Sequence, residues 1–291
     1  MKRRTFIQHS ALAATGGILL PSLLSCNIPS TEKSVGIQLY TLKDIILKDV
    51  KGTLQQVANI GFKDLEAYSY SDGKALGLPY QDFISMVNGM GMKVVSGHYS
   101  TGQAFPAMKG TLVNDWERAV EDAQKAGQKY MIIAWLHPDE RKTLDDYKRV
   151  GQLMNKANEV CKKAGVSLGY HNHEFEFVKL EDQVPYDVLV KELDPSVVLE
   201  LDIYWTTFAE VNALELFKKH AGRIHLWHVK DMDKVDRKLQ TDVGSGSIDY
   251  KSVFAAAQQS GMKHFFLEQE YFTRPQIEAI SLGYNHLKTI I

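Results

Sequence analysis

Six times along this chain a stretch with helical periodicity ends on a glycine, and a short β-rich run follows within a few residues. The glycines are Gly61, Gly91, Gly127, Gly165, Gly222 and Gly261. A left-handed residue at the helix C-terminus favours glycine, so each marks a stop. The runs predicted as strands are Val35–Tyr40, Asp64–Tyr68, Lys93–His98, Tyr130–Trp135, Ser167–His171, Val197–Asp202, Arg223–Val229 and His264–Glu268. The helices predicted between and after them are Leu54–Ile60, Tyr80–Met90, Trp116–Ala126, Leu144–Ala164, Tyr186–Leu193, Val211–Ala221, Tyr250–Ser260 and Gln276–Ile291. Strand alternating with helix is the pattern of a parallel sheet with crossover helices. Eight units over residues 34–291 give about 32 residues each, the length of one α/β domain folded as a (β/α)8 TIM barrel. An open doubly wound sheet is the alternative, but Tyr40-Thr41-Leu42-Lys43 after the first strand carries no glycine-rich phosphate fingerprint.

The first 26 residues stand apart from this pattern. Lys2, Arg3 and Arg4 precede an apolar Ala/Gly/Leu-rich run that reaches Leu23-Leu24-Ser25-Cys26. This is the layout of an export signal, with twin-arginine and lipobox-like features, and it predicts an exported protein, periplasmic or anchored through a lipid on Cys26. Residues 27–33 read as a linker, and the barrel is expected over 34–291. Lys plus Arg number 34 and Asp plus Glu 35, and loss of the signal leaves an excess of four acids. That balance disfavours nucleic acid as a partner. Cys26 and Cys161 are the only cysteines. A disulfide framework and a cysteine zinc site are thereby excluded, and a metal would need His and carboxylate ligands.

Catalytic groups of a barrel come from the C-terminal ends of its strands. Here those ends carry Gln38, Tyr40, Glu66, Tyr68, His98, His171, His173, Asp202, His228, Lys230, Asp231, Glu268 and Glu270. Strand side chains alternate faces, so His171 with His173, Glu200 with Asp202, His228 with Lys230 and Glu268 with Glu270 form in-phase pairs that point to one shared pocket. His171, Asp202, His228 and Glu268 would hold one divalent metal, and two imidazoles with two carboxylates suit manganese, cobalt, zinc or iron(II) better than magnesium or calcium. The spacing is equally compatible with separate hydrogen-bonded groups at a barrel rim. Among the remaining histidines, His220, His264 and His286 are expected in solvent and His225 on the outer face, and His137 is left without a role. Arg141 and Arg274 are expected in solvent, and Gly244-Ser245-Gly246 as a turn shaping the mouth.

Several strings together carry a resemblance: Gly36-Ile37-Gln38-Leu39-Tyr40-Thr41, Tyr170-His171-Asn172-His173-Glu174-Phe175-Glu176-Phe177, Glu200-Leu201-Asp202-Ile203-Tyr204-Trp205, His228-Val229-Lys230-Asp231, Val243-Gly244-Ser245-Gly246-Ser247-Ile248-Asp249-Tyr250 and Leu267-Glu268-Gln269-Glu270. In this order they resemble the xylose isomerase-like barrel superfamily, and within it the sugar phosphate isomerase/epimerase family. The resemblance implies one catalytic metal on strands five to eight, with Asp202, His228 and Glu268 at the last three ligand positions. The first position, a Glu followed by Asn in the tagatose epimerases, is filled by His171 before Asn172. Glu174 or Glu176 would substitute if the strand ran further.

A metal chelating a ketone and the neighbouring hydroxyl acidifies the adjacent C–H. The chemistry implied is proton abstraction next to the carbonyl of a sugar or keto-glycoside, ending in isomerisation, epimerisation or elimination. Glu268 or Glu270 would be the base and His173 or His98 the acid. Lys230 would bind a hydroxyl or the enolate oxygen. Gln38, Tyr40, Glu66 and His98 would contact substrate, and Trp135, Trp205 and Tyr68 would stack on the sugar ring. A non-catalytic sugar-binding lipoprotein and a nuclease like the apurinic endonucleases are the competing readings, the latter weakened by Trp205 where those enzymes carry His.

Overall fold

The computed structural model describes residues 34–291. The export signal and linker expected over 1–33 lie outside the described residues. Eight parallel strands close into a barrel: β1 (Gly36–Gln38), β2 (Asp64–Ala67), β3 (Lys93–Tyr99), β4 (Tyr130–Ile133), β5 (Ser167–His171), β6 (Val198–Asp202), β7 (Ile224–Val229) and β8 (His264–Leu267). They neighbour one another in chain order, and β8 pairs with β1 to complete the ring. The (β/α)8 barrel expected from the repeat is therefore the fold. Helices cover the outside: α1 (Val50–Ile60), α2 (Tyr80–Gly89), α3 (Trp116–Lys125), α4 (Leu144–Ala164), α5 (Pro185–Glu192), α6 (Ala213–Lys219), α7 (Tyr250–Ala255) with a further turn at Ala257–Ser260, and α8 (Gln276–Leu287).

The glycine stops are confirmed by geometry. Gly165 caps α4 at φ +70°, where its N–H reaches Cys161 O and Lys162 O, and the other five also have positive φ. Several strands are shorter than their β-rich runs. β1 ends at Gln38 because the Gln38 side chain accepts the Tyr40 N–H and turns the chain into a 3-10 segment, Leu39–Leu42. Tyr40 is consequently a rim residue, 37% exposed, and not a strand residue.

Alternation along the strands produces two cores. Outward residues such as Ile37, Leu65, Met131, Leu199, Trp227, Phe265 and Leu267 pack against the helices. Inside the barrel, Val95, Tyr130, Ile132, Val198, Leu226 and Phe266 form a separate apolar plug. Two to four residues further along these strands, and at the end of β5, the buried polar positions are His171, Glu200, Asp202, His228 and Glu268. The plug is the floor on which a charged layer rests.

The seam between β1 and β8 is tight. A Cβ on Gly36 would stand 2.6 Å from Phe266 Cδ1 and 2.7 Å from the Phe265 carbonyl oxygen. The carbonyl belongs to the barrel ladder and cannot yield freely. Gly36→Ala should lower the stability of the folded chain by about 1–3 kcal/mol, measured by denaturant unfolding; an unchanged midpoint would show that the seam relaxes without cost.

Candidate active site

The C-terminal mouth holds a cavity of about 420 Å³ lined by Tyr40, Tyr68, His98, Ala134, Trp135, His171, His173, Lys230, Glu268 and Glu270. Each wall residue is at a strand end or within three residues after one, as the barrel geometry dictates. On the floor, His228 Nδ1 lies 2.5 Å from Glu268 Oε2, and His171 Nε2 lies 3.7 Å from Asp202 Oδ2. Among the described residues, Asp202, His228 and Glu268 form one group whose donor atoms approach closely enough to share an ion, and the fourth expected ligand, His171, falls in another with His98, Glu200 and His228. Lys230 is completely enclosed, its ammonium 3.1 Å from Asp202 Oδ2, 2.9 Å from Glu268 Oε2 and 2.9 Å from Glu270 Oε1. Asp202 Oδ2 is nonetheless buried with no aligned hydrogen-bond donor. A carboxylate oxygen in that condition, beside two imidazoles and a second carboxylate, fits a divalent cation of the borderline transition-metal type.

The electrostatics follow from crowding charge in a dry space. Burial raises the Asp202 carboxyl, partly offset by Lys230. Burial also acts against ionisation of Glu268, but Lys230 and His228 outweigh it and hold that carboxyl well below the usual range. Burial and the nearby Lys230 push the His173 imidazole down to about 3. With no ion bound, the His173 imidazole is therefore neutral, and its Nδ1 is buried without a hydrogen-bond partner. His98 is driven the other way. Burial opposes the charge, but Glu66 and Glu200 raise it to about 9.

Other expected site residues lie elsewhere than their strand-end position suggests. Gln38 and Glu66 are completely buried under the floor and do not line the cavity. Trp205 is half-buried beside the wall, its ring 5.7 Å from that of His173 and 5.6 Å from Lys230 Nζ. Trp135, 42% exposed, and Tyr40 stand at the rim. Glu176, named as a substitute ligand, turns away: the 3-10 turn Phe175–Phe177 buries it against Tyr170 Oη (2.6 Å) and the His173 N–H (2.8 Å). Glu174 caps that turn and is likewise outside the ligand group. His264 is not free in solvent but pairs with Asp64 at 2.9 Å. His220 packs on Tyr186, His286 is half-buried, and His137 Nδ1 accepts the Asp139 N–H. Arg141 lies over the Phe175 ring at 3.5 Å, and Arg274 is paired with Asp242 and Glu278, so neither is a free surface cation.

Asp231 is a buried member the sequence left without a role. Its carboxylate takes the N–H groups of Gly244, Gly246 and Ile248 at 2.9, 2.9 and 3.2 Å. A Cβ on Gly246 would lie 2.2 Å from Asp231 Oδ1, so glycine is required there. The Gly244-Ser245-Gly246 turn thus braces the strand end that carries Lys230. Glu200, present in the sequence only as the partner of Asp202, is the other: its side chain lies within 3.0 Å of His98 and His171.

Comparison with known proteins places this architecture. Residues 54–290 match the family model described as the xylose isomerase-like TIM barrel. The chain belongs to that family. A crystal structure of a sugar phosphate isomerase/epimerase from Parabacteroides distasonis is similar at 29% identity and TM-score 0.75, over 88% of this chain and 97% of that one. An inosose dehydratase from Bacillus licheniformis is 28% identical over 139 residues, 42% of this chain and 44% of the relative. The similarity thus spans less than half the length of that relative. A structure of the IOLI protein with a bound zinc atom shares the fold at 14% identity and TM-score 0.66.

Glu176 makes a pH test. Burial lifts its carboxyl to about 7 against the hydrogen bonds from Tyr170 and His173. The folded chain holds this proton where the unfolded chain, with a pKa near 4.5, has released it. Stability from this group is full below about pH 4.5, falls as pH rises towards 7, and is level above that. The loss across the window is on the order of 3 kcal/mol. Glu176→Gln should flatten that part of the stability profile measured by urea unfolding at stepped pH; an unaltered slope would contradict the assignment.

Proposed function

We propose that this chain is a metal-dependent enzyme that removes the proton next to the carbonyl of an unphosphorylated sugar, keto-glycoside or cyclic polyol ketone. The observation that carries the proposal is the convergence of Asp202, His228 and Glu268 with Lys230 at the floor of one cavity, with His171 Nε2 3.7 Å from Asp202 Oδ2 as the fourth ligand proposed. Manganese, cobalt, zinc or iron(II) bound there would supply Lewis acidity towards a carbonyl and its neighbouring hydroxyl. The chain's own residues supply the rest. Lys230 is locked by three carboxylates and presents its ammonium where enolate charge develops. Glu270, on the wall and 2.9 Å from Lys230, is the carboxylate free of the ligand group and takes the proton at Oε; Glu268 is committed to His228 and Lys230. The proton taken by Glu270 leaves with the departing oxygen as water in an elimination, or returns to carbon in an epimerisation, and His173 Nδ1, neutral and without a partner, accepts a hydrogen bond from a substrate hydroxyl. Trp135, Tyr40 and Tyr68 stack on the ring and exclude water from one face.

Within this class, dehydration or another β-elimination is the reading favoured here. An imidazole stands where the epimerases of the family place a glutamate, which removes one of two opposed bases, and the partial similarity to inosose dehydratase points the same way. Epimerisation is the second reading, supported by the likeness to the Parabacteroides distasonis protein. Neither a nuclease nor a non-catalytic binding role gains support from these relatives. The wall favours a neutral substrate: among the described residues lining the cavity Lys230 is the sole Lys or Arg, it is engaged by carboxylates, His98 is held between Glu66 and Glu200, and Lys43 at the rim over Tyr40 pairs with Glu270, so a phosphate would face Glu268 and Glu270. The export expected from residues 1–26 suits the same reading.

Manganese- or cobalt-loaded protein incubated in heavy water with ketoses, 3-keto-glycosides and cyclic polyol ketones should exchange or eliminate the α-proton. Chelation should abolish turnover, Asp202→Asn should reduce it at least a hundredfold, and a phosphorylated counterpart of the best substrate should be at least tenfold poorer. Undiminished turnover after exhaustive chelation would end the metal reading, and a preference for the phosphorylated compound would end the claim of a neutral substrate.

A further inference from the structure

Under the four ligand candidates lies a second buried layer that the reaction does not use. Glu66 and Glu200 are both completely enclosed there, with His98 Nε2 between them at 2.9 and 3.0 Å. Both candidate imidazole ligands bridge the two layers. His228 points Nδ1 up at Glu268 and Nε2 down at Glu66 Oε1, 2.6 Å away, with Glu200 Oε2 at 3.3 Å. His171 points Nε2 up towards Asp202 and Nδ1 down at Glu200 Oε2, 3.0 Å away. A ring nitrogen that binds a metal must offer a lone pair, so the proton of a neutral imidazole sits on the other nitrogen, and an acceptor beside that nitrogen selects the tautomer.

We propose that Glu66 and Glu200 are positioning residues that fix His228 as its Nε2–H tautomer and His171 as its Nδ1–H tautomer, leaving His228 Nδ1 and His171 Nε2 for the metal. The inference rests on the metal reading given above and extends it to residues outside the ligand group. The lower layer is itself fixed. Gln38 Oε1 is occupied by the Tyr40 N–H at 2.9 Å, so the Gln38 amide donates from Nε2 to Glu66 Oε1 at 2.8 Å. The rings of His98 and His228 stack with centroids 5.3 Å apart and 14° between planes, which holds His228 in rotation. His98, His171, Glu200 and His228 also lie close enough to hold an ion of their own. His98 and His171 of that group line the cavity while Glu200 and His228 are wholly buried, so the number of ions bound and the response of Glu200→Gln distinguish an inner ion from the positioning role. Carboxylate acceptors also make the ligating nitrogens more basic than a carbonyl would.

The test is titration of metal-free full-length protein with cobalt(II), reading affinity and the visible d–d bands. Wild type should bind one ion per chain. Glu66→Gln and Glu200→Gln should each weaken binding about 10–100-fold and alter the bands, and Glu200→Leu, which removes the acceptor altogether, should weaken it more than Glu200→Gln. Should a variant fail to fold, nitrogen-15 histidine NMR of wild type loaded with zinc reads the tautomers directly, with protons expected on His228 Nε2 and His171 Nδ1. The opposite tautomers, or folded Gln variants with wild-type affinity and bands, would overturn the proposal. A second ion lost in Glu200→Gln would overturn it in favour of an inner cation site. Wild type that binds no cobalt would overturn both this inference and the metal-dependent reaction, whereas normal binding by the Gln variants leaves the reaction standing.

Discussion

Four carboxylates, Glu66, Glu200, Asp202 and Glu268, are buried together inside one end of the barrel. Two unit charges 4 Å apart repel by about 4 kcal/mol at an effective dielectric of 20, so such a cluster cannot stand on its own. Everything around it is cation or donor: Lys230 between Asp202 and Glu268, His228 between Glu268 and Glu66, His98 between Glu66 and Glu200. Those interactions fix the side chains in place, which is what a site requires if its ligands are to be positioned before substrate arrives. The apolar plug beneath, from Val95 to Phe266, supplies the dry floor that makes the arrangement strong.

The arrangement explains why stability and activity pull on the same residues. Removing Lys230 would leave three carboxylates facing one another, and removing one carboxylate would free an imidazole or ammonium in a dry space. A divalent cation relieves the same repulsion, so the metal reading and the architecture support each other. Asp231, tied to the Gly244–Gly246 turn, holds the strand end that delivers Lys230, linking a glycine-rich loop on the rim to a charge on the floor.

Much of this was legible in the sequence. The strand–helix–glycine repeat specified the barrel, because a left-handed cap and a period-two strand are local properties. In-phase pairs at strand ends pointed to one shared mouth, since alternation is a local rule too, and there Asp202, His228 and Glu268 form one group while His171 groups with His98, Glu200 and His228. Depth was not legible. Gln38 and Glu66 resemble wall residues by position, but their layer along the barrel axis depends on how each strand is staggered against its neighbours, including the irregularity between Leu65 and Glu66. The same holds for Glu200, whose register shift after Leu199 sets it opposite Leu226 and under His171. Tyr40 left its strand because a side chain two residues earlier captured its N–H, and Glu176 left the ligand group because a single 3-10 turn reversed its direction. The staggers exist only once the barrel has closed, whereas the Gln38 capture and the 3-10 turn are local choices that strand alternation alone does not reveal.

The most direct measurement is anomalous diffraction at the manganese or cobalt edge from crystals of the metal-loaded protein. One peak within about 2.0–2.3 Å of His171 Nε2, Asp202 Oδ2, His228 Nδ1 and Glu268 Oε2 is the predicted result. A peak held by His98, Glu200 and the lower nitrogens, or no peak inside the barrel, would contradict the account.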